Sequence, residues 1–123
     1  MKTCLSALLI ALFASGCCSI HTSSEGGRTM CLVENYGWRL FDLIPLVAGN
    51  PDSPRESGCR LFSDTVTLES NMKLLDYAMD RENAVAVRNL TSFTTEEYIL
   101  IILLRRYVYH TSAELVKASE PNN

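Results

Sequence analysis

Positive charge is scarce in this chain of 123 residues: 11 Lys plus Arg stand against 14 Asp plus Glu, for a net charge of -3. Nucleic-acid binding is set aside on that ground, because it needs clustered Lys and Arg to displace phosphate counterions. Histidine is scarcer still, with only two residues, and no two cysteines are spaced as Cys-x-x-Cys. Cys31, Cys59 and His110 therefore lack the short ligand pair that zinc sites are built on, and no metal site is expected. There is no H-E-x-x-H, no glycine-rich phosphate loop, no ordered Ser-His-Asp set and no recognisable pair of carboxylates. With no nucleophile or base placed in a readable frame, no enzymatic activity and no cofactor is expected. No apolar run reaches the roughly 20 residues that a transmembrane helix requires.

What is present is 47% hydrophobic residues. That is too apolar for a disordered chain and suits one small domain. Lys2 followed by the eleven-residue apolar run Cys4 to Ala14 (CLSALLIALFA) has the charge and length of an export signal. Removing residues 1 to 16 takes away Lys2 and no acidic residue, so 10 basic against 14 acidic residues leave a net charge of -4.

The run closes on Ala14-Ser15-Gly16-Cys17. Small residues at the two positions before a Cys, directly after an apolar run, resemble the lipobox of bacterial lipoproteins, over the N-terminal seventeen residues only. The resemblance implies that Cys17 becomes the first residue of the mature protein and carries the lipid, three acyl chains in the mature type. Several chains are needed for a stable anchor, at roughly 0.8 kcal/mol per buried methylene. Cys18 follows in place of the Asp that marks inner-membrane retention in some Gram-negative families, which favours the periplasmic face of the outer membrane. The other reading of the same residues is an ordinary secretory signal cut near Ala14 to Gly16, with Cys17 and Cys18 left as thiols.

On the lipoprotein reading the domain organisation is a signal peptide over 1–16, lipidated Cys17 and a flexible tether over 17–28, a single domain over 29–118 and a disordered tail over 119–123. Cys18 to Arg28 (CSIHTSSEGGR) has the Ser, Thr and Gly content of a spacer, with His21 in it as a solvated side chain. Fully extended it would reach about 35 to 40 Å. Cys31 and Cys59 are then the natural disulfide pair in an oxidising compartment, and two buried free thiols are the alternative.

Met30 to Glu34 has the content of a short strand, Asn35-Tyr36-Gly37 of a turn, and Trp38 to Ala48 of a second strand that Pro45 interrupts or holds at an edge. Gly49 to Gly58 has loop composition. Within Ser63 to Asn83, the spacing of Leu68, Met72, Leu75 and Met79 predicts an amphipathic helix capped by Ser63, Asp64 or Thr67. Ala84 to Phe93 alternates as a strand, Thr94 to Glu97 has turn character, and the apolar run Tyr98 to Leu104 is expected to be a central strand or an oligomer interface. A helix opening on Thr94-x-x-Glu97 is the rival for that last region. The sum is an α+β domain, a small antiparallel sheet with one amphipathic helix packed on it, in strand-loop-helix-strand-strand order. That order is similar to the order in several small, uncharacterised bacterial envelope lipoproteins; the likeness is architectural and carries no residue over.

Two side chains merit inspection for binding: Trp38, with Tyr36 and Phe41 beside it, and His110. The function expected is that of a membrane-anchored envelope lipoprotein, non-enzymatic, acting through a protein partner or a second copy at the Tyr98 to Leu104 strand. A small-molecule or stress-ligand binding module is the alternative.

Overall fold

A computed structural model describes residues 3, 4, 6, 7, 17–50, 52, 53, 58–99, 101 and 103–118. Most of the apolar leader and the tail from 119 onwards lie outside these residues. Among the described residues six strands and one helix follow the leader: β1 (Cys18–Glu25), β2 (Arg28–Leu40), β3 (Ile44–Gly49), β4 (Cys59–Leu61), α1 (Leu68–Glu82), β5 (Ala84–Ile99) and β6 (Leu104–Lys117). The sheet is antiparallel at every pairing, in the order β4-β3-β2-β6-β5, with β1 paired to β2 beside β3. The expected sheet with one helix is present. The sheet is larger than expected, and three strand pairings precede the helix.

The 13-residue β2 organises the rest. One edge pairs with β6 along its whole length; the other takes β1 against residues 28 to 35 and β3 against residues 37 to 40. Asn35-Tyr36-Gly37, expected as a turn, runs straight through this strand. Asn35 is tolerated there because its side chain acts as a second backbone: Nδ2 donates to the Thr65 carbonyl at 3.1 Å and Oδ1 accepts from the Gly49 amide at 3.0 Å. Gly37 is needed for space, since a Cβ there would meet Val66 at 2.6 Å and the Tyr107 ring at 2.9 Å. The chain turns later, at Phe41 and Asp42, both with positive φ, so the predicted strand Trp38 to Ala48 is two strands. Arg39 faces Pro45 across a register shift that begins after Trp38, the irregularity that a proline forces on a ladder.

The expected tether over 17–28 is a strand. Gly26 and Gly27, with φ of 58° and 76°, form the two-residue turn between β1 and β2, the geometry that a tight hairpin demands. Cys17, just before this hairpin, is buried and belongs to the folded unit.

Helix α1 lies within its predicted span, with Thr67 as the N-cap accepting from the Ser70 amide and Asn83 closing it in the left-handed conformation. Its buried residues are Ser70, Asn71, Leu74, Leu75 and Ala78, a stripe rotated from the predicted one, and Leu68 at its start is exposed. The stripe includes Asn71 because that side chain ties the helix to β6, donating to the Tyr109 carbonyl and to Thr111 Oγ1, each at 2.9 Å. Leu74, Leu75 and Ala78 pack on Ile20, Cys31, Val33, Ala113 and Leu115 from β1, β2 and β6.

The apolar run Tyr98 to Leu104 is not a central strand. It straddles the end of β5 and the turn into β6. The sequence from Leu104 onward is strand, as preferred over helix, and the predicted turn Thr94 to Glu97 is continuous β5.

Candidate functional site

Alternation along β2 sends Thr29, Cys31, Val33 and Asn35 to the helix side and Glu34 and Tyr36 to the other. The register then lines up a row of four side chains across the open face. Ser19 stands opposite Glu34, Glu34 opposite His110, and His110 opposite Phe93, so the row crosses β1, β2, β6 and β5. Residues from four separate stretches of chain meet here, and only His110 stands out in the sequence.

His110 is fully engaged. Nδ1 lies 2.8 Å from Glu34 Oε1, Nε2 lies 2.8 Å from Thr95 Oγ1, and the Phe93 ring stacks on the imidazole at 4.5 Å between centroids. Glu34 also accepts from Ser19 at 3.1 Å and from the Tyr36 hydroxyl at 2.6 Å. Burial opposes ionisation of this carboxyl, but the hydrogen bonds from Tyr36, Ser19 and His110 together outweigh it and hold it below its usual range. The Tyr36 hydroxyl is pushed up by burial and by donating to Glu34.

Hydroxyl, imidazole and carboxylate in this order have the connectivity of a nucleophile, base and orienting acid. The surroundings do not complete such a site. Thr95 is exposed on an edge strand, and the three cavities described are lined by other residues, near Arg39 and Tyr107, near Arg28 and Lys117, and near His21 and Met30. None of these three cavities is lined by Thr95 or His110. The row serves as a cross-strand clasp, in which each polar atom has a partner.

Trp38 lies two residues further along the same face and is buried. It packs with Cys17, Val47 and Leu104, and the Arg106 guanidinium sits 5.8 Å from its ring and 5.9 Å from that of Tyr36. None of the cavities described joins Trp38 to His110, and both ring nitrogens of His110 are already engaged.

The cysteines pair differently from expectation. Cys59 is bonded to Cys17, with Cα atoms 5.2 Å apart and a sequence separation of 42. Cys31 is a free thiol, buried beneath the helix, and Cys18 is a second. The reason is the strand at 18–25: it lays Cys17 beside Tyr36, whose amide donates to the Cys17 carbonyl at 2.7 Å, and next to the β3-β4 hairpin that carries Cys59. Cys31 points into the helix-side core. The sulfur for which the lipobox resemblance implies a lipid is thus the one that the cystine uses, and a thioether and a disulfide on one sulfur exclude each other. Burial raises the Cys18 thiol to about 11, against a small opposing effect of the Asn50 backbone, and burial likewise raises Cys31.

No family model matches the chain, and neither a curated protein nor a solved structure matches it. Among the described residues no helix is long and apolar enough to cross a membrane.

Proposed function

We propose that the chain is an exported cell-envelope protein that works against a membrane surface by contact, without enzymatic chemistry. The observation that carries this reading is the Cys17 to Cys59 bond at the boundary of an apolar leader. Cystines persist in compartments outside the cytosol, and an export-length apolar run directly before one supplies the route there. The mutually bonded row of Ser19, Glu34, His110 and Thr95 supports a contact role over a chemical one.

A second reading is favoured by Ala14-Ser15-Gly16-Cys17: a lipoprotein anchored through Cys17, at the periplasmic face of the outer membrane. In that form the lipid takes the Cys17 sulfur and Cys59 is left as a thiol. Mass spectrometry of the protein from its own envelope fraction, with and without reduction, tests both. A chain starting at Cys17 and gaining two hydrogens on reduction is the expected result. A mass increase from acyl chains on Cys17, with Cys59 alkylatable, moves the conclusion to the second reading. An uncleaved chain with all thiols free, recovered from the cytosol, overturns export altogether.

A further inference from the structure

We infer that the end of the sheet carrying the β2-β3 and β5-β6 turns is a membrane-docking tip, inserting apolar side chains into the interface of a lipid bilayer. The topology puts three chain reversals at this end. Leu40 pairs with Ile44 on one side and with Leu104 on the other, Leu104 pairs with Ile99, and the chain leaves β4 at Phe62, whose amide donates to the Leu46 carbonyl at 2.9 Å. The two turns are tied together, Phe41 donating its amide to the Leu103 carbonyl at 2.9 Å. Four strand spacings make the row roughly 19 Å wide.

What stands in that row is apolar and solvent-exposed: Leu43 is 83% exposed, Ile101 87% and Phe62 76%, with Phe41, Ile44 and Tyr98 each half or more exposed. Single exposed apolar side chains need no explanation, but a contiguous row of them marks an interaction surface. The charged residues just behind it are matched within the protein. Arg39 pairs with Asp64, Arg105 with Asp42 and Glu96, and Arg106 with Glu97. A partner reached through charge would find no spare cation among these arginines, whereas hydrocarbon and headgroup-level carbonyls suit an apolar row above a neutralised belt.

The direction of β1 selects lipid over a second copy. β1 runs antiparallel to β2, from Cys18 at Asn35 to Glu25 at Arg28, so the chain reaches Cys18 from the side of the apolar end. In the lipid-bearing form of the second reading, a lipid on Cys17 is therefore delivered toward the same end as the row, about four residues or roughly 13 Å of strand from Leu40. Anchor and tip then address one surface.

The inference rests on the proposed membrane-surface placement, and the test separates the two. Full chain from envelopes, as wild type and as Leu43→Trp and Glu25→Trp, is mixed with phosphatidylcholine vesicles whose acyl chains are brominated, then floated and read by fluorescence. Leu43 is exposed in a turn and Glu25 is exposed at the opposite end of the sheet, so neither substitution disturbs packing. The expected result is flotation, with the indole introduced at 43 quenched at least about twofold more than the one introduced at 25, as a side chain at acyl depth requires. Salt should change this little, because the arginines are already paired. Flotation with equal quenching at both sites leaves the placement standing and overturns the tip. A chain that stays in the aqueous fraction overturns both. A blue shift of the Leu43→Trp emission without lipid, growing with protein concentration, overturns the tip in favour of a second copy.

Discussion

Replacing Cys59 with Ser opens the loop that the Cys17 bond closes, and the size of the effect follows from the chain enclosed. With 42 residues of separation, the chain-entropy relation gives about 4 kcal/mol of stabilisation at 25 °C. For a folded unit of about 100 residues each kcal/mol moves the midpoint of thermal unfolding by about 4 to 5 °C, so Cys59→Ser should lower Tm by about 16 to 20 °C. Dithiothreitol should lower the wild type by a similar amount and leave the variant where it is. The assay is thermal unfolding followed by circular dichroism, with and without reductant, after peptide mapping has verified the bond in the starting material. The strands that meet at this bond make the prediction specific. Cys17 immediately precedes β1 and Cys59 starts β4, and the two strands lie on the same side of β2 without being paired to each other. The bond is their covalent link across the seam. A bonded wild type whose midpoint moved by less than about 5 °C on reduction would refute the reasoning, because the unfolded chain would then not have been constrained by the loop.

Other measurements address the two faces of the sheet. Gly49 carries the amide that Asn35 accepts, and a Cβ at that position would collide with Asn35 Oδ1 and Cys18 Sγ, so Gly49→Ala should cost about 1 to 3 kcal/mol in a denaturant titration; a neutral result would show that the buried Asn35 bridge is loose. Leu74→Ala, at a fully buried site between helix and sheet, should cost about 2 to 5 kcal/mol, measured the same way. Glu34 has a folded-state pKa held below its unfolded value, so its contribution is present above the unfolded pKa and is lost as pH falls through the folded one; Glu34→Gln should flatten the acid limb of stability against pH. Cys18 behaves in the opposite sense. Its folded pKa, raised to about 11, makes its contribution complete below the unfolded value and lost as pH climbs toward 11, so native-state alkylation of Cys18 should be slow at pH 9 and rise steeply only beyond that.

The helix is legible in the sequence because its signals are local: apolar residues at helical spacing and capping candidates at Ser63, Asp64 and Thr67, of which the structure uses Thr67. Even there the stripe was displaced, since Asn71 is buried for a hydrogen bond to β6 that no local pattern announces. The strands were misread where polar or small residues sit inside them for tertiary reasons. Asn35 and Gly37 resemble turn residues, and only Gly49, Thr65, Val66 and Tyr107, distant in sequence, make them fit a strand. Ser19, Ser23 and Ser24 read as spacer, yet they lie on a strand whose hydroxyls meet Glu34 and Thr29. The signal that would have found this hairpin was present: Gly26-Gly27 between two runs of similar length is a two-residue turn. Once β1 is missed, Cys17 has no reason to approach Cys59, and the cysteine pairing follows the error. The open-face row was not legible beyond His110, because Glu34, Thr95 and Phe93 join it only through register.

The short distance between Cys17 and the first ladder pair fixes the stance of the molecule. A flexible spacer would let the domain swing through a hemisphere of 35 Å or so around its point of attachment. With β1 starting at Cys18, whatever holds residue 17 also holds the sheet, and rotation is confined to that of a rigid plate on a hinge of no length. Such a plate meets only what lies in a thin layer against the same surface and presents one orientation to it. On the proposed envelope placement, a partner would then be selected by its depth in that layer before it is selected by shape.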